Sequence, residues 1–183
     1  VAETLFGNRW TMLTLSAADV PGLDGDAATI FTGSGYSLLD YSSTAGADGA
    51  LDLLYSTSLG SGSPADLSGQ GSIRIDLTKF DLPAGGSLGV TVQLFNDYLG
   101  ANQDSVTLTT TVTTAGAQSL WLNLYSVPST VDFSAIDTVK VTFDPTAGAD
   151  FRVDLITTEV PEPATMGLLG LGLGVLFVRR RKA

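Results

Sequence analysis

Apolar and polar residues alternate with period two along much of the chain, and each such run predicts a half-buried β-strand. "GSIRIDL" places Ile73, Ile75 and Leu77 on one face, and "GVTVQLF" does the same with Val90, Val92 and Leu94. "SVTLTTTVT" follows with Val106, Leu108 and Val112. "SLWLNLYSV" sets Leu120, Leu122 and Leu124 against Trp121, Asn123 and Tyr125 on the opposite face. "TVKVTF" contributes Val139, Val141 and Phe143, and "FRVDLI" contributes Phe151, Val153 and Leu155. Four earlier runs, "RWTMLTL", "ATIFTG", "YSLLDY" and "ALDLLYS", read as weaker strands because their apolar residues cluster more than they alternate.

Turn formers separate these runs, as in "PGLDGD", "TAGADG", "GSGSPADLSGQG", "LPAGG", "LGANQD" and "DPTAGAD". No stretch before the carboxyl-terminal tail shows sustained helical periodicity. Short strands divided by Gly, Pro and Asp turns predict an all-β fold, an antiparallel β-sandwich with jelly-roll connections. Phe80 and Ile136 sit in two similar Asp-bearing segments and are expected to cap its core. The expected organisation is one domain over 1–158 and a separate tail over 159–183.

Composition narrows the chemistry. The chain has no Cys and no His, which removes disulfides, thiol catalysis, the usual zinc sites and histidine acid/base chemistry. Residues 1–160 carry eighteen Asp and Glu against five Lys and Arg, leaving the body at about −13. Such a surface repels phosphate backbones, so no nucleic-acid partner is expected. No charged and apolar leader precedes Val1, as expected where a secretory signal has been removed or was never included.

The tail "VPEPATMGLLGLGLGVLFVRRRKA" has three parts: Pro161-Glu162-Pro163, an uncharged Gly/Leu-rich run over 164–178, and the basic cluster Arg179, Arg180, Arg181 and Lys182. As a helix the run would be about 22 Å long, short for a bilayer span, with flanking arginines able to snorkel. It reads as a short transmembrane helix serving as a temporary anchor, its cationic end cytoplasmic and the body across the membrane. Prolines at 161 and 163 forbid ladder bonding, which predicts an extended, accessible linker. These three parts in this order resemble the PEP-CTERM sorting signal of proteins exported by exopolysaccharide-producing Gram-negative bacteria. The resemblance implies that an exosortase, an integral-membrane enzyme with its own Cys nucleophile, cleaves at or near Pro161-Glu162-Pro163. It further implies release from the inner membrane to the cell surface or extracellular matrix. It covers only the tail and says nothing of the domain ahead of it.

Candidate chemistry in the body is sparse. Gly85 to Gly89 formally match the nucleophile elbow around Ser87, but the elbow needs a strand-to-helix turn and a His, so a hairpin turn is expected. Glu occurs only at Glu3, Glu159 and Glu162, leaving a glycosidase to rely on Asp alone. Asp-bearing Gly loops offer oxygen ligands for a structural Ca²⁺, with Asp24, Asp26 and Asp154 as the candidate set beside Asp48, Asp144 and Asp150. The competing reading is that these Asp residues only form solvated turns. Trp121, Asn123 and Tyr125 would make an aromatic-polar-aromatic strip able to stack sugar rings, unless the aromatics pack under a covering loop.

The first expectation is therefore a non-enzymatic exported protein with a structural or adhesive role in biofilm or floc. The alternative is a carbohydrate-binding module that retains exopolysaccharide, and an Asp-based polysaccharide hydrolase ranks last.

Overall fold

The computed structural model describes residues 10–18, 27–33, 36–43, 48–56, 63–126 and 128–159. Ten strands lie among them: β1 (Trp10–Ala18), β2 (Ala27–Gly33), β3 (Tyr36–Ser42), β4 (Asp48–Ser56), β5 (Ser72–Asp81), β6 (Leu88–Asn96), β7 (Asp104–Val112), β8 (Gln118–Asn123), β9 (Thr138–Pro145) and β10 (Asp150–Glu159). A 3-10 turn, Phe133–Ala135, is capped by Asp132, whose side chain accepts the Ser134 amide.

The strands form two five-stranded sheets, ordered β1-β4-β9-β6-β7 and β2-β3-β10-β5-β8, with every pair antiparallel. Among consecutive strands, only β2–β3 and β6–β7 are hairpins; every other connection passes from one sheet to the other, in the manner of jelly-roll sandwiches. The inner faces supply the core: Leu51 and Leu53 of β4, Ile73, Ile75 and Leu77 of β5, Val90, Val92 and Leu94 of β6, and Val139, Val141 and Phe143 of β9 are all buried. Each such side chain contributes about 1.5–3 kcal/mol when fully removed from water. Phe151 stacks on Tyr41 with ring centroids 4.8 Å apart and lies 5.2 Å from Phe143, tying the two sheets together. Phe80 and Ile136 are both buried against this core.

Two bulges break the expected alternation. Between β5 and β10 the register skips Thr78 on one strand and Asp154 on the other. A bulge inserts one residue and reverses which side chains face inward beyond it. Phe80 and Leu77, three residues apart, are accordingly both buried. On β10 the inward series runs Phe151, Val153 and then Ile156, which packs on the core and pairs with Ile75. Leu155, expected inside, instead pairs with Asp76 on the outer face.

The segment around Ser87 is a turn joining β5 to β6, and because those strands lie in different sheets it is a crossover rather than the expected hairpin. Gly85 adopts φ +75°, and Gly86 lies so close to Thr146 that a Cβ there would sit 2.7 Å from its Oγ1. Among the described residues no helix is long and apolar enough to cross a membrane; the expected span, 164–178, lies outside them.

Candidate functional site: the outer face of the second sheet

β8 is the outermost strand beside β5, and its inward residues Leu120 and Leu122 are buried. Alternation then turns Ser119, Trp121 and Asn123 outward. Trp121 is 56% exposed, and its cross-strand partner is Arg74 of β5. The Arg74 guanidinium lies 5.3 Å from the indole centroid, within cation–π range.

A network of carboxylates fixes that guanidinium. Arg74 Nε donates to Asp76 Oδ1 at 2.8 Å, and Nη1 donates to Glu159 Oε1 at 3.4 Å. Ser119 Oγ donates to the same Asp76 oxygen at 2.6 Å. The bond to Asp76, with that to Glu159 behind it, pushes the Arg74 pKa further above its ordinary value. The registers place Trp121, Arg74 and Thr157 in one row across β8, β5 and β10, with Asn123, Ser72 and Glu159 in the next. Each row crosses two interstrand gaps, about 10 Å. Two more ion pairs lie farther along the sheet, Lys79 with Asp81 at 3.2 Å and Arg152 with Asp40, whose Oδ1 accepts Arg152 Nε at 2.7 Å.

The expected three-residue strip is only partly assembled. Trp121 and Asn123 share the outer face, but β8 ends at Asn123, whose Oδ1 accepts the Tyr125 amide at 2.8 Å and starts a turn. Tyr125 therefore leaves the strip. Its hydroxyl donates to Ser68 O at 2.9 Å, and its ring lies 5.9 Å from Phe133, while 59% of the residue remains exposed. Arg74, Asp76, Ser119 and Glu159 were missing from the expected site. "GSIRIDL" displays the first two as outward polar positions, but nothing local reveals that β8 is the strand beside them.

Of the calcium candidates, Asp154 lies exposed at the β10 bulge, and Asp24 and Asp26 fall outside the described residues. No group of three His, Cys, Asp or Glu able to hold a metal occurs among the described residues. Pro161, Glu162, Pro163 and the cluster Arg179, Arg180, Arg181 and Lys182 also lie outside them. β10 runs through Glu159, one residue past the expected domain boundary.

Residues 159–182 match the PEP-CTERM protein-sorting motif, so the chain carries a carboxyl-terminal sorting signal of exported proteins. No curated protein matches the chain by sequence. Among solved structures it is similar to the family 11 carbohydrate-binding module of a cellulosomal cellulase of Clostridium thermocellum, with 13% identity and a TM-score of 0.50 over 88% of this chain and 94% of that one. It is also similar to part of an agarase, with 10% identity and a TM-score of 0.50 over 81% of this chain and 22% of the enzyme. At these identities the likeness is one of fold.

Proposed function

We propose that this protein, exported under a PEP-CTERM signal, is a non-catalytic polysaccharide-binding protein of the cell surface or extracellular matrix. The carrying observation is Trp121, whose indole stands open to solvent on a sheet face beside a fixed Arg74–Asp76–Glu159 network. A pyranose ring presents apolar C–H groups on its faces and hydroxyls around its rim. Stacking a ring on the indole buries the first, while guanidinium, carboxylates and Ser119 offer donors and acceptors to the second. Because these groups are already held by one another, little side-chain entropy is lost on binding.

The likeness of fold to a carbohydrate-binding module supports this reading as analogy. The structural role expected from the sequence follows from it: a matrix protein that holds polysaccharide contributes to biofilm or floc cohesion. An exosortase takes the tail as its substrate, the inner membrane holds the precursor only transiently, and exopolysaccharide is the lasting partner. The test is affinity electrophoresis or pull-down against a panel of neutral and acidic polysaccharides. Trp121→Ala should weaken binding at least tenfold, about 1.4 kcal/mol, with the melting temperature unchanged. Binding that survives the substitution at full strength refutes the assignment of this face.

A further inference from the structure

Leu99, Trp121 and Tyr125 are large apolar side chains left exposed, at 73%, 56% and 59%. Scattered exposed apolar residues are ordinary. These three gather at one end of the sandwich: Leu99 in the β6–β7 turn, Tyr125 in the turn after β8, and Trp121 two residues before β8 ends. The chain leaves the sandwich at the same end. Glu159 pairs with Ser72, which pairs with Asn123, and Gly71 bridges the two sides by donating to Glu159 O at 2.7 Å and accepting from the Leu124 amide at 3.0 Å.

Leu99 is held outward by a tight turn. It has φ +64° and Asp97 has φ +54°, conformations that cost a non-glycine residue on the order of 1 kcal/mol or more. The turn is secured by Asn102 N donating to Asp97 Oδ2 at 2.9 Å, Leu99 N to Gln103 Oε1 at 3.1 Å and Tyr98 N to Asp137 Oδ2 at 3.0 Å. A Cβ at Gly100 would lie 1.9 Å from Asp97 Oδ1, so any larger residue there has to displace the carboxylate that holds Asn102 N.

Five residue steps separate Glu159 from Ala164, where the apolar run of the tail begins, a reach of at most about 18 Å. We propose that in the tail-bearing precursor this end of the sandwich rests on the bilayer surface, with Leu99, Trp121 and Tyr125 in the headgroup layer. The inference rests on reading 164–178 as the membrane anchor. Trp and Tyr favour that layer because each joins an apolar ring to a polar tip. Asp66, Asp97, Asp104 and Asp132 lie at the same end, so the surface that fits is zwitterionic rather than anionic. Removal of the tail then lifts this end from the membrane and turns Trp121 from lipid toward polysaccharide.

The test uses the full chain with Trp10→Phe, which leaves Trp121 as the only tryptophan, reconstituted into phosphatidylcholine vesicles with chains brominated near the headgroup. The chain should float with the vesicles, and Trp121 emission should be quenched at least twofold relative to unbrominated vesicles. Quenching should fall in Leu99→Ser/Tyr125→Ser and when phosphatidylglycerol replaces half the lipid. Should Trp10→Phe fail to fold, an environment-sensitive dye on Ser126→Cys reads the same contact, because the chain has no other cysteine. A chain that floats but shows equal emission in both vesicle types overturns the proposal while leaving the anchor intact. A chain that does not float overturns both. Polysaccharide binding by the tail-free protein, with and without Trp121→Ala, tests the sugar face separately.

Discussion

Threonine substitutions at Leu155 and Ile156 probe the β10 bulge directly, because strict alternation and the bulge assign these neighbours to opposite faces. Ile156 packs against the core opposite the fully buried Ile75, whereas Leu155 lies opposite Asp76 outside. Ile156→Thr removes two carbons, each worth about 0.8 kcal/mol when buried. It also places a hydroxyl against apolar neighbours, at a cost of about 1–3 kcal/mol for full burial. Since Ile156 is only partly buried, the net loss should be about 2 kcal/mol. Leu155→Thr should stay within about 0.5 kcal/mol, and both changes keep a good strand former in place. Urea denaturation followed by far-UV circular dichroism would read the difference. With a slope of about 2 kcal/mol per molar urea, the Ile156→Thr midpoint should fall by about 1 M. A Leu155→Thr variant at least as destabilised as Ile156→Thr would refute the bulge and restore the simple period-two face.

Two further outcomes are expected. The hydrogen bond from Arg152 holds the Asp40 carboxyl below its ordinary value of 3.8, so its stabilising contribution is present above that value and is lost as pH falls through the lower folded pKa. Asp40→Asn should therefore melt below the parent at pH 7 and converge with it in strong acid; thermal melts from pH 7 to 2 check this, and a gap independent of pH would count against it. Replacing Pro161, Glu162 and Pro163 with alanine should leave the protein uncut in the inner membrane, read by fractionation and mass; normal release of that variant would sink the processing role.

Much of the sandwich is legible in the sequence because a strand that faces core on one side and water on the other must alternate. Ile73, Ile75 and Leu77, then Val90, Val92 and Leu94, then Val139, Val141 and Phe143 are inside as their spacing requires. The weaker runs also form strands, β1 to β4, and the clustered "LDLL" leaves Leu51, Leu53 and Leu54 all buried. Alternation fails where geometry is decided across strands. The bulges at Thr78 and Asp154 depend on how β5 and β10 meet, and neither residue announces it. The same holds for the site. Trp121 is visible as an outward aromatic, but its setting depends on register: residues 74, 121 and 159, far apart in the chain, converge because β8, β5 and β10 are neighbours. The period-two pattern runs on to Tyr125, but β8 ends at Asn123, where the side chain accepts the Tyr125 amide, a local bond that a periodic pattern does not encode.

The place of β10 between β3 and β5 bears on the order in which the molecule is made. It is the last of the ten strands to emerge, yet the second sheet is not continuous without it. Until β10 has been made, β3 and β5 have no neighbour between them, so closure of that sheet waits for the chain to extend through Glu159. The fold is thus complete only where the sorting signal, residues 159–182, begins. The same placement limits how far any trimming can go: erosion past Glu159 would strip the ladder that β10 makes with Ser72, Ile73 and Arg74 and open the sheet from its middle.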